Sequence, residues 1–316
     1  MKGLKKLALA TAVAAAPFAA QAELQAMDDS MMGNVTGQAG VTIELETEVA
    51  IGQFTYTDEG TFAVKDIALG GALASSSQSA ADYAAATGAG ALLDQLKIDI
   101  DIADDGDAVI HVGSLQTDGS GNPVPIDWGF TAGSMELNGN GGENTVLVSN
   151  MDAWGLLGAL DIRVDTDNVT DGAGNEMAGT GTLNLDAAFT VNEMSFDVDF
   201  LGVGVRGMTI NSSESGGEVL GAAGLAAVFA EDPTAPTAEE QRKIGLAQAG
   251  FAIIGLDIYK GDGLGASTAT NVLRVDVDDV LMDINVAETV IGGANIGTIG
   301  IDNLHISNTK LAVYGK

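Results

Sequence analysis

Apolar residues recur at every second position through long stretches of the chain, and the phase of that recurrence reverses about every 7–9 residues. Leu185, Ala187, Phe189 and Val191 give way to Met194, Phe196, Val198 and Phe200, then to Val203 and Val205, then to Met208 and Ile210. The C-terminal part repeats the behaviour: Leu273, Val275 and Val277 are followed by Val280, Met282, Ile284 and Val286, and later by Ile299 and Ile301, Leu304 and Ile306, and Leu311 and Val313. A period of two is the signature of a β-strand with one apolar face. Because a shift of one residue turns every side chain to the other face, each reversal needs a bend, a bulge or a turn. Glycines at 202, 204, 207, 292, 293, 297 and 300 stand where such devices are required.

The fold class that follows is all-β: an elongated multi-stranded sheet, a sandwich or a solenoid-like stack, with short helical insertions. A solenoid keeps one face inward as its coils turn corners, and a bulged antiparallel sheet gives the same pattern. The absence of a strict repeat weakens the solenoid without deciding the matter. Polar positions identify the wet face. Leu96, Ile98, Ile100 and Ile102 alternate with Lys97, Asp99 and Asp101, and Val41, Ile43 and Leu45 alternate with Thr42, Glu44 and Glu46. Strands buried on both faces would instead read as unbroken apolar runs.

Two segments interrupt the alternation. The Ala/Ser-rich stretch from Gly71 to Asp94 accommodates a short helix around Ala80 to Ala86. Within "DPTAPTAEEQRKIGLAQAG", Thr237 precedes Ala238, Glu239 and Glu240, the spacing of a capping box, which predicts a helix over Ala238 to Gln248. Early acidic residues and the later Arg242 and Lys243 suit the helix dipole.

The first residues are of a different kind. Lys2, Lys5 and Lys6, the apolar run Leu7 to Ala16 and the small-x-small site Ala20-Gln21-Ala22 have the form of a secretory signal peptide. The expected organisation is a leader over 1–22 and a single elongated β domain over 23–316, with a helical insertion at about 220–250. No later segment offers the run of about 20 apolar residues that a transmembrane helix needs. An exported location follows: periplasm, cell surface or medium. Removing the leader leaves ten basic against 44 acidic residues, a formal charge of −34. Such a charge repels nucleic acid. The chain has no cysteine, which excludes disulfides and thiolate chemistry.

Catalytic patterns are wanting. His111 and His305 each lie in an alternating stretch with no nucleophile motif nearby, which reads as structural or solvent-facing. Acidic turns are the one feature with ligand chemistry. Asp165, Asp167, Asp171 and Glu176, with Gly172 and Gly174 between them, supply the oxygens that calcium takes, though not at EF-hand spacing. The run "DIDIADDGD" from Asp99 to Asp107 is a lesser candidate of the same kind. No other cofactor is expected.

The stretch "LQAMDDSMMGNVTGQAGVTIELE" carries Met27-Asp28-Asp29, Val35-Thr36-Gly37-Gln38 and Gly40 ahead of an alternating strand. Together with the tail "IGGANIGTIGIDNLHISNTKLAVYGK" and the segments "IDWG" and "DFLGVGVRGMTI", it resembles pilus-system proteins of the Fil type and related exported Gram-negative domains of unknown function. The resemblance implies an envelope or filament-related role and transfers no catalytic residue. The expectation is therefore a non-enzymatic exported structural or assembly protein of the cell envelope, associated with a pilus or surface fibre. Its partners would be envelope or pilus-system proteins, or further copies of itself. The alternative is a periplasmic binding or carrier protein for an apolar ligand.

Overall fold

The computed structural model describes residues 40–73, 80–169, 174, 176–177, 180–213, 219–230 and 232–315. All lie in the unit Gly40–Lys316. The leader, the Met27–Asp29 and Val35–Gln38 motifs and Asp171 fall outside the described residues.

The alternation folds into one all-β unit. Its strands are β1 (Val41–Thr47), β2 (Val49–Thr57), β3 (Gly60–Gly70), β4 (Leu93–Ile102), β5 (Ala108–Ser114) and β6 (Ile126–Gly139). They continue with β7 (Asn144–Asp165), β8 (Thr182–Val198), β9 (Val203–Asn211), β10 (Ala252–Gly261), β11 (Val272–Ile291) and β12 (Ala294–Val313). They form a single 12-stranded sheet in which the described pairings are antiparallel. Of the arrangements open to the sequence, the bulged antiparallel sheet is the one observed.

The sheet has two tiers. β7 pairs β6 along Asn144–Leu157 and β5 along Leu160–Val164, so two short strands lie end to end beside one long one. Between β8 and β11 the same device recurs, with β10 in the lower tier and β9 in the upper. On the far side β4 and β1 continue the lower tier, β3 and β2 the upper. Eight ranks result: β1/β2, β4/β3, β5/β6, β7, β8, β10/β9, β11 and β12.

The phase reversals are bulges and left-handed residues. The switch after Val191 coincides with a register break between Val191 and Met194 against β9. Gly202 and Gly207, with φ of 64° and 58°, mark the next two switches, a conformation that glycine adopts without steric cost. Asn303 and Asn308 take φ of 52° and 54° where β12 changes phase, as asparagine does more readily than other side chains. Asp278 is the extra residue between Val277 and Asp279 against β10.

Three helices are described: α1 (Ala80–Ala84), α2 (Gly221–Phe229) and α3 (Ala238–Gln248). α1 ends two residues short of the expected limit. α3 has the expected bounds and its capping box: Glu240 N donates to Thr237 Oγ1 at 3.3 Å, and Thr237 N donates to Glu240 Oε2 at 2.6 Å. α2 and α3 pack on the sheet through Leu225, Phe229 and Ala247, which meet Ala188, Ile253, Leu281 and Phe251 in one buried cluster. Leu225 and Leu281 are 0% and 1% exposed. Arg242 and Lys243 lie in mid-helix, and the last turn of α3 holds no basic residue. They bind sheet carboxylates instead of the helix terminus: Arg242 pairs with Asp161, and Lys243 Nζ lies 2.7 Å from Asp186 Oδ1.

Candidate functional site

Residues directly opposite one another on antiparallel strands share a face, so the register sorts side chains across the whole sheet. One lower-tier row runs Val41, Ile100, Ile110, Ile162, Leu185, Leu256, Val277, Thr309. The next runs Ile43, Ile98, Val112, Leu160, Ala187, Ile254, Val280, Ile306. An upper-tier row runs Val49, Leu69, Phe130, Ala153, Met194, Met208, Val286, Ile299. From edge to edge these rows hold one hydroxyl and no charge.

The opposite face is its chemical inverse. One row there reads Thr42, Asp99, His111, Asp161, Asp186, Gly255, Asp279, Ser307. The row below reads Asp101, Val109, Arg163, Asn184, Asp257, Asp276, Lys310. α2 and α3 sit on this polar face, over the Ala188–Ile253–Leu281 row. The middle of the apolar face holds two buried clusters, Leu96–Val112–Ile126 and Ala252–Val280–Met282, amid half-buried neighbours, and towards the sheet edges its residues are open: Ile43 is 42%, Ile299 49% and Leu311 45% exposed.

The free edges are the second feature. Among the described residues β1 and β2 pair only inward, to β4 and β3, and β12 pairs only with β11. Every residue of β2, "VAIGQFTYT", is exposed, and none is charged. The first eight residues of β12, "ANIGTIGI", are likewise exposed and uncharged. Neither strand contains proline. Soluble proteins ordinarily blunt a sheet edge with lysine, proline or an inward charge. The charges of these edges are Glu44 and Glu46 on β1 and Asp302 and Lys310 further along β12, so β2 and the start of β12 carry none.

A charged cleft of about 670 Å³ opens beside the N-terminal half of α3, lined by Asp161, Arg163, Asp186, Glu239, Arg242, Lys243, Asp257 and Asp278 among others. Each of its cations is committed. Arg163 Nε donates to Asp107 Oδ2 at 2.9 Å, Arg242 binds Asp161, and Lys243 binds Asp186. His111 Nδ1 lies 2.6 Å from Asp161 Oδ1, so this histidine takes part in a structural network. The cleft clasps α3 to the sheet.

Burial raises the Asp278 carboxyl to about 6, helped by the charge and hydrogen bond of Asp257 and the charge of Asp279, against the opposing pull of Lys243. A carboxyl raised on folding keeps its proton in the native state at pH values where the unfolded chain has lost it. Stability therefore falls as pH rises from about 4 to about 6. Asp278→Asn is expected to leave thermal stability unchanged at pH 4. At pH 7.5 it should raise the midpoint by about 2–4 °C, which corresponds to about 1 kcal/mol once solvent screening is allowed for. Differential scanning calorimetry at the two pH values checks it; a loss at pH 7.5 would show that Asp278 is stabilising as an anion.

The acidic turns divide. Asp107, from the lesser calcium candidate, is buried and accepts from Thr166 N at 2.9 Å, Thr166 Oγ1 at 3.1 Å and the Arg163 guanidinium. The Thr166 backbone N–H, then Arg163, hold its carboxyl below the usual range. Its oxygens thus serve to pin the β7 end. Asp165 ends β7 and accepts from Asp167 N at 2.8 Å, an Asx turn. Glu176 is exposed further along the same connection. Among the described residues no three His, Cys, Asp or Glu side chains gather in metal-binding geometry. No helix of the described residues is long and apolar enough to cross a membrane.

Sequence reasoning identified the alternation but not its sum. That the apolar positions of eight ranks fall in line, or that β2 and β12 are the edges, depends on strand order. The one local signal was the run of uncharged residues in "VAIGQFTYT" and "ANIGTIGI".

Residues 1–104 match a family of unknown function, DUF6160. The match spans about a third of the chain and assigns no activity. Neither the curated proteins nor the solved structures contain a significant match.

Proposed function

We propose that this chain is a non-enzymatic, exported structural or assembly protein of the cell envelope, associated with a pilus or surface fibre. The observation that supports this reading is the pair of sheet edges left unpaired among the described residues, each with a long uncharged stretch, β2 on one side and Ala294–Ile301 on the other. An open edge offers a row of backbone N–H and C=O groups to another strand, and strand addition uses them with side-chain pockets for specificity. When β12 of one copy meets β1–β2 of the next, the contact is head-to-tail, and a rotation that does not close on itself extends it into a fibre. The acidic polar face keeps such an assembly soluble. The leader and the resemblance to pilus-system proteins agree with this reading.

Light scattering on size-exclusion fractions of the full chain tests it. Mass is expected to grow with concentration. Phe54→Lys on β2 and Ile296→Lys on β12 should each reduce that growth by roughly tenfold or more, because an edge lysine must be desolvated to pair. Growth that ignores both substitutions would overturn strand addition. A second reading, a periplasmic carrier of an apolar ligand, would draw on the same apolar face.

A further inference from the structure

The apolar face is too large to stand in water. Eight ranks at about 4.8 Å and about 16 residues at about 3.3 Å give a footprint of roughly 2,000 Å², closed in places by the Leu96–Val112–Ile126 and Ala252–Val280–Met282 clusters. The largest apolar patch on a typical monomer is about 300–600 Å².

We infer that this face is covered by a second copy of the chain, face to face, so that two sheets form a sandwich about a two-fold axis. The area fits: two such footprints come to about 4,000 Å², and with roughly half of it discounted for residues already buried within one copy the area removed still reaches the lower end of the range of obligate homodimers. The chemistry fits as well. Rows of Ile, Val and Leu without charge interdigitate with another pleated sheet about 10 Å away, and an isologous contact needs only self-complementarity. The acidic rows and the helices all lie on the other face, so the two copies turn their charge outward. An anionic lipid surface repels a chain of net charge −31. Two tryptophans and four tyrosines are too few for the aromatic girdles of a lipid-facing sheet. A small apolar ligand requires a concave seat that wraps it, and one would leave most of this face bare.

The dimer uses the face and the fibre contact uses the edges, so the two fail separately. Sedimentation velocity of the full chain should give a dimer throughout the micromolar range. The double variant Ile162→Lys, Leu185→Lys places two charges at cross-strand neighbours in mid-face, and should weaken dimerisation roughly a hundredfold or more with the far-ultraviolet strand signal kept. Ile296→Lys should leave the dimer intact while suppressing larger species. If the double variant does not fold, carbene footprinting of the unmodified chain decides: peptides bearing Ile162 and Leu185 should be protected in the dimer, and the exposed Asp118–Asn122 turn should not. A monomer at every concentration, a dimer that survives the double variant, unprotected mid-face peptides, or a monomer carrying a bound apolar molecule in native mass spectrometry would overturn the inference.

Discussion

Leu281→Ala is expected to cost about 3–5 kcal/mol of folding stability. Leu281 is 1% exposed and lies between Ile253 of β10 and His305 of β12 in register, beneath the two helices. Truncation removes the transfer energy of the lost carbons and leaves a cavity that rigid strands on either side cannot close. The effect should appear as a lower urea midpoint at unchanged slope, since the surface exposed on unfolding is little altered. Measurements belong at one protein concentration, because association adds to apparent stability. Leu311→Ala, at a site 45% exposed, should cost less than about 1 kcal/mol in the same assay. Equal losses at the two sites would mean that the helix–sheet cluster is not the stabilising core.

Lys243→Met is expected to cost about 2–4 kcal/mol, less than the loss of one partner from a fully buried pair because water still reaches the cleft. Burial opposes the charge of Lys243, but its hydrogen bond to Asp186 and the charges of Asp186, Asp279 and Glu239 outweigh burial and raise its pKa. Methionine keeps the packing and removes the one ammonium among those carboxylates. Asp278 and Asp279 already sit above the usual carboxylate range, with desolvation the first cause in each and Lys243 opposing it. Without Lys243 they rise further, so the loss should shrink as pH falls towards 4, where they take up protons in both states. Asp186→Asn in the Lys243→Met background should restore part of the stability, and a double-mutant cycle measures the coupling. A loss that is the same at pH 4 and pH 7.5 would assign the effect to packing instead.

Much of the fold was legible because period-two patterning is a local property. Val191 to Met194 and Val277 to Val280 announced bulges, and Thr237 with Glu240 fixed the start of α3, since a capping box is closed within four residues. Arg242 and Lys243 were misplaced for the opposite reason. Their partners, Asp161 and Asp186, lie on β7 and β8, and no local pattern reports a contact across such a separation. Asp107 likewise looked like a cation ligand until Arg163 and Thr166 were brought to it. The candidate surfaces were legible only as composition. Uncharged runs at 49–57 and 294–301 became edges when strand order placed them there, and apolar alternation became a continuous face when the register aligned it.

The tiered arrangement has a mechanical consequence. Long strands such as β7 and β11 each span the junction between two short neighbours, as bricks overlap the joints of the course below. A pull along the strands meets no seam at which the tiers part: it loads the ladders on both sides of each long strand in shear, so many hydrogen bonds must yield together. A pull across the strands would open one ladder bond by bond. A plate built this way is stiff along the strands and weak across them, and its free edges lie in the weak direction.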